Sequence, residues 1–259
     1  MKFDPEAWSF RQSQFGSLDA ALIAPVREKP RALIVLCHGF GAPGTDLISL
    51  FDNILHLLPE ASPACSYLFP EGPVSLEDMG IPDGRAWWPL NMAQMMQLAA
   101  ENRFDAMRDT VPPEIDSARN ELVRAIAACR EHLATEYKTK TELPVVLGGF
   151  SQGAMLSVDT LLRGGLNGVA GLIAYSGALI CEKLWRSAPQ SVRGLPFIQS
   201  HGRQDQILPF ETGKWLNELL LDLGMSGSLL EFDGPHTIPM ESMLQTAKLI
   251  HAIAMESAS

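Results

Sequence analysis

The chain has 259 residues, 46% of them hydrophobic, long enough to bury a sizeable core and expected to form one domain over 1–259. Thirty acidic against twenty basic side chains give a net charge of −10, and the cations are scattered, so nucleic acid is excluded as an expected partner. No window approaches the roughly 18 apolar residues of a membrane span, the N-terminal MKFDPEAWSF lacks an apolar signal region, and Cys37, Cys65, Cys129 and Cys181 have neither metal nor redox spacing; a cytoplasmic chain with reduced core thiols and no stable membrane insertion is expected.

In chain order, the first apolar run is ALIVLCH, Ala32 to His38, leading into the glycine loop HGFG and a helix over about 46–58. Residues 70–113, rich in Pro, Gly, Trp and Met, break the pattern and predict an insertion or cap-like segment near one end of a sheet. A long helix follows, about 114–137, in which Ile115, Ala118, Leu122, Ile126, Cys129, Leu133 and Tyr137 recur at steps of three and four with Pro112 and Pro113 at its entry. Further short apolar runs cover 144–150, 171–177, 196–202 and 228–234, alternating with helices over about 152–162, 212–221 and 239–253. Such alternation predicts an α/β protein with a mostly parallel central sheet and helices on both faces. Ligands in these folds bind beyond the carboxyl ends of strands, where these runs end in Gly, Ser or His.

The run PVVLGGF delivers Ser151 into GFSQG, residues 149–153, a GxSxG pattern set between a strand and a helix. That setting is what a nucleophile elbow requires, since the turn is tight and glycines remove Cβ clashes. The alternative is a serine that only caps the following helix. A serine nucleophile needs a base and a group to orient it. Among six histidines, His56, His132 and His251 fall in helical patterns, while His38 and His201 sit at strand ends where structural hydrogen bonding is expected. His236, in the loop FDGPHTIP after the last strand, has the late position the base needs. Asp205, just past the 196–202 strand, is the expected acid; Asp233 is its rival, and Asp159 and Asp222 fall in or near helices. The backbone N–H groups of Gln152 and Phe40 are the expected oxyanion donors. A phosphate loop is disfavoured because CHGFGAPG lacks both GK[ST] and GxGxxG.

Together, HGFG at 38–41, GFSQG at 149–153, HGRQDQILP at 201–209 and GPH at 234–236 resemble the phospholipase/carboxylesterase family of α/β-hydrolases, which includes bacterial carboxylesterases and acyl-protein thioesterases. FPEGPV at 69–74 and GRAWWPL at 84–90 resemble that family's segment beside the acyl site. The resemblance covers about 32–250. It implies an α/β-hydrolase fold and a serine hydrolase with Ser151 as nucleophile, Asp205 as orienter, His236 as base and Phe40 and Gln152 as the oxyanion hole. The stretch 91–110 looks longer than in compact relatives, and its Met92, Met95, Met96 and Met107 are read as core filling or as a flexible apolar wall. The expected function is a serine carboxylesterase acting on small to medium acyl esters without metal or cofactor. Trp87, Trp88 and Leu208 are the candidate pocket walls. An acyl thioesterase or lysophospholipase with the same triad is the alternative, and a non-catalytic hydrolase-fold binding protein a more distant one. A small-molecule ester is the expected partner; the sequence does not fix the oligomeric state, and a homodimer is compatible with it.

Overall fold

The computed structural model describes residues 6–57, 64–90, 98, 101, 103–139, 142–188 and 191–256. Ten strands are found among them: β1 (Trp8–Phe15), β2 (Leu18–Pro25), β3 (Leu33–Cys37), β4 (Ser66–Pro70), β5 (Val74–Ser75), β6 (Arg85–Ala86), β7 (Val145–Phe150), β8 (Val169–Tyr175), β9 (Pro196–Gly202) and β10 (Ser226–Phe232). The helices are α1 (Ile48–Leu57), α2 (Ile115–Glu136), α3 (Gln152–Arg163), α4 (Glu182–Arg186), α5 (Phe210–Asp222) and α6 (Met240–Glu256).

Eight strands form one sheet in the order β1-β2-β4-β3-β7-β8-β9-β10. From β4 onward every neighbour is parallel, and β1/β2 and β2/β4 are antiparallel. The parallel strands β3 and β7 read as unbroken apolar runs because both of their faces are covered. On one face, the Ile115 to Leu133 stripe of α2 packs with α3 and the Leu216, Leu219 and Leu220 stripe of α5 into a single apolar layer. On the other, Phe51 and Ile54 of α1 meet Met243, Ala247 and Ile250 of α6 over Ile34, Val146 and Ile173. The sheet's centre, where β3 and β7 lie side by side, is therefore its most deeply buried part. That is where the serine emerges.

Sequence patterning finds five of the six strands paired in parallel, β3, β7, β8, β9 and β10, with β8 and β10 each beginning two residues earlier than expected. It passes over β1, β2, β4 and the five-residue α4. β1 is a half-exposed edge strand, WSFRQSQF, with little apolar alternation. β2 is alanine-rich and buried almost throughout, so its period does not separate strand from helix.

Within 70–113, β5 and β6 pair as a small antiparallel ribbon, and 3-10 turns occupy Glu77–Met79 and Phe104–Met107. The ribbon is stitched to the glycine loop: Gly41 N–H donates to the Arg85 carbonyl at 2.9 Å and Arg85 N–H to that of Ala42 at 3.2 Å. The later part is tied to α4, where Arg108 donates Nε and Nη2 to Glu182 at 2.8 and 2.9 Å and Cys181 N–H reaches the Thr110 carbonyl at 3.1 Å. Met107 is buried in the α2-side core, as core filling requires. Met92, Met95 and Met96 lie outside the described residues.

Candidate active site

Ser151 stands between the end of β7 and the start of α3 with φ 55° and ψ −118°. A non-glycine residue held there costs about 1 to 3 kcal/mol, which the surroundings must offset. They do so by crowding. A Cβ on Gly153 would overlap the Cys37 carbonyl, and one on Gly149 would lie 2.5 Å from the Gly153 carbonyl carbon, so only glycine lets α3 start this close to β3. Ser151 N–H also donates to the Tyr175 carbonyl of β8 at 2.9 Å. The hydroxyl itself makes no capping hydrogen bond with α3. The helix-cap alternative therefore has no capping bond behind it, and the half-buried hydroxyl has no hydrogen-bond partner among the described residues.

At the neighbouring strand ends, His236 Nδ1 lies 2.6 Å from Asp205 Oδ2, so the carboxylate accepts and Nδ1 carries the proton. The other carboxylate oxygen accepts from the N–H groups of Ile207 and Leu208, both at 2.9 Å. Burial works against ionising Asp205, but hydrogen bonds from His201, His236 and Leu208, with the His236 charge, outweigh it and hold the carboxyl well below the usual range. The His236 ring packs on Phe150, with centroids 4.6 Å apart, which brings the imidazole against the residue preceding Ser151. Asp233 is 79% exposed on its side chain and sits 3.6 Å from Arg203, away from that pairing. Asp159 is buried within α3 between Arg119 and Arg163, and Asp222 pairs with Arg186 at the surface.

The glycine loop is held down onto the elbow. A Cβ on Gly39 would lie 3.4 Å from that of Ser151, so the loop backbone passes directly over the serine. Phe40 follows, and its N–H finds no acceptor among the described residues; the N–H of Gln152 opens α3, where no intrahelical acceptor exists. His38 anchors this arrangement. Its Nε2 accepts from Gly72 N–H at 2.9 Å, which puts the ring proton on Nδ1 facing the Gly39 carbonyl at 2.8 Å. Burial, the largest influence on this ring, lowers the imidazole's proton affinity against the pull of the Gly39 carbonyl, in keeping with a neutral, structural histidine.

Trp87 and Trp88, expected as pocket walls, are fully buried. The Trp87 indole donates Nε1–H to the His38 carbonyl at 2.9 Å and packs its ring 5.2 Å from the imidazole, so it supports the glycine loop from beneath. Leu208 is buried as well, with its N–H on Asp205. Sequence reading missed the side chain of Gln152. Its Oε1 accepts from Trp87 N–H at 3.0 Å and its Nε2 donates to the Trp88 carbonyl at 2.8 Å, latching the 84–90 segment to the residue after the serine. A glutamine between Ser151 and Gly153 carries no pattern of its own, because its partners lie 64 and 65 residues away.

The fold is that of an α/β-hydrolase, and similarity to known proteins makes the chain an ester-hydrolysing enzyme of the serine hydrolase class. Residues 18–254 match the Phospholipase/Carboxylesterase family, and the chain belongs to it. Acyl-protein thioesterase 1 of Emericella nidulans is 25% identical over 217 residues, covering 80% of this chain and 82% of that protein. The protein of the same name from Aspergillus fumigatus is 27% identical over 217 residues, 80% of each chain. Among solved structures, esterase PE8 is similar in fold with a TM-score of 0.69 at 24% identity, covering 91% of this chain and 99% of that one. The Bacillus cereus carboxylesterase gives 0.60 at 14%, covering 95% and 94%.

Proposed function

We propose that the protein is a carboxylesterase for small to medium acyl esters, in which Ser151 is the nucleophile, His236 the general base and acid, and Asp205 the group that orients it. The observation that carries this reading is the conjunction at one end of the sheet: an uncommitted hydroxyl on a strained elbow, and an imidazole held by a buried, ionised carboxylate. His236 Nε2 takes the Ser151 proton as Oγ attacks the acyl carbonyl, and the N–H groups of Phe40 and Gln152 receive the developing oxyanion. The imidazolium then protonates the departing alcohol, leaving Ser151 acylated. Water, deprotonated by His236, attacks the acyl-enzyme, and the proton returns to Ser151 as the acid leaves. Every atom transferred belongs to substrate, water or these side chains.

Trp87, Trp88 and Leu208 share the α2-side apolar layer, which supports a role in backing the site from within the core rather than lining it as an exposed wall. The described part of 70–113 works as a collar around the glycine loop through the Gly41 and Arg85 backbone pairing. The four cysteines are free and buried, which fits a reducing cytoplasm, and no described helix is long and apolar enough to cross a membrane. A second reading, thioester hydrolysis, is favoured by the relatives named acyl-protein thioesterase. Turnover of matched oxygen and thiol esters, graded from acetyl to palmitoyl, tests both. Carboxylesterase function predicts the higher kcat/KM on oxygen esters of short and medium acyl groups. A preference for long-chain thiol esters would favour the second reading, and no turnover of any member would overturn both.

A further inference from the structure

The acid of the proposed triad has a second histidine on it. His201, the sixth residue of β9, is fully buried, and its Nε2 lies 2.7 Å from the Leu208 carbonyl and 3.3 Å from Asp205 Oδ2. Nδ1 has no hydrogen-bond partner among the described residues. A proton on that nitrogen would be an unsatisfied buried donor, so the tautomer that fits carries its hydrogen on Nε2, shared between the Leu208 carbonyl and the carboxylate. Asp205 Oδ2 thus faces two imidazole N–H groups, one from His236 and one from His201.

Helix α5 is cut to receive this ring. A Cβ on Gly213 would overlap His201 Nδ1 and stand 2.7 Å from its Cγ. Glycine inside a helix weakens it relative to alanine, and here the space it leaves is filled by the imidazole. The same turn of α5 is fixed to the sheet by Gln199, whose Nε2 donates to the Gly213 carbonyl at 2.7 Å. Phe210 closes the other side, with its ring centroid 6.1 Å from that of His201.

From this packing we infer that His201 is a positioning residue of the reaction: it locks the Asp205 carboxylate between α5 and the 203–209 loop and withdraws part of its charge from His236. The inference rests on the triad reading above. Without His201, Asp205 keeps the Ile207 and Leu208 donors on Oδ1 but loses one donor on Oδ2, so more negative charge faces His236. The imidazolium is then held more tightly, and its proton leaves at higher pH. Other ionised groups around these rings point outward. Glu231, the β10 partner of His201, pairs with Arg203 at 2.9 Å, and Asp233 lies on the same arginine. Phe150, packed on His236, and Ser176, which donates to the Thr237 carbonyl, are neutral.

The test is the pH dependence of kcat/KM on a soluble ester, with active sites titrated by a fluorophosphonate so that unfolded protein is not counted. His201→Phe is expected to lower kcat/KM about tenfold and move the acid limb up by about half a pH unit or more. His201→Gln, which restores an N–H toward Asp205, is expected to return the limb to the wild-type position. Gly213→Ala keeps the imidazole but displaces it, and is expected to shift the limb in the same direction; it carries the test if His201→Phe does not fold. An acid limb at or below the wild-type value in folded His201→Phe and Gly213→Ala overturns the inference. Asp205→Asn serves as control: if it leaves turnover unchanged, the triad reading itself has failed, whereas its loss of activity beside an unmoved limb in His201→Phe removes only this role.

Discussion

Replacing Ser151 by alanine abolishes turnover, with kcat expected to fall by about a million-fold toward the residual rate that binding and oxyanion stabilisation alone sustain. The fold should survive the change. Ser151 makes its structural bond through its backbone N–H to Tyr175, and the hydroxyl caps nothing, so removing Oγ takes away no contact that holds α3. Alanine also relieves no crowding, because the tight approaches at the elbow involve Gly149, Gly153 and the Cys37 carbonyl. Circular dichroism and the thermal midpoint of Ser151→Ala should therefore match wild type while stopped-flow or endpoint assays show no product. A variant that unfolds, or that keeps its esterase rate, would mean that the hydroxyl has a different role.

The second large effect is expected at Asp205. Asp205→Asn should lower kcat by roughly ten-thousand-fold near neutral pH, because an amide can turn its N–H toward Nδ1 and stabilise the wrong imidazole tautomer. Stability should fall as well. In the wild type, the carboxylate accepts from the N–H groups of Ile207 and Leu208 and from His236, with His201 beside it, and an amide oxygen and nitrogen cannot accept from all four. The sign of the pH dependence follows from the depressed folded-state affinity of Asp205 for its proton. Its stabilising contribution is fully present above the unfolded value of about 4 and is lost as pH falls from there through the lower folded-state value. Urea unfolding at a series of pH values should therefore show the gap between wild type and Asp205→Asn narrowing only below about pH 4.

Which parts of this molecule could be read from sequence follows from what each residue contacts. The α2 stripe was legible because a helix on a sheet repeats its apolar contacts every three or four residues. β3 and β7 were legible because strands covered on both faces are continuously apolar. β1 was not, since an edge strand half in solvent has no such constraint on its composition, and α4 is too short to show a period. At the site, the tight turn at Ser151 and the Asp205–His236 pairing sit at the chain positions and strand ends expected from sequence. The supporting contacts were not legible there. The amide of Gln152 on Trp87 and Trp88, the His38 link to Gly72, and the His201 ring in the Gly213 gap are each one long-range pairing without local periodicity. The burial of the two tryptophans is of the same kind: an aromatic pair beside an active site reads as a wall until the neighbour that covers it is known.

The central claim, that Ser151 is the group that becomes acylated, is tested most directly by treating the folded protein with a fluorophosphonate and mapping the adduct by peptide mass spectrometry. Stoichiometric modification on the peptide containing Ser151, lost in Ser151→Ala and strongly slowed in Asp205→Asn, is the predicted result. An unlabelled folded protein, or an adduct on any other residue, would contradict it.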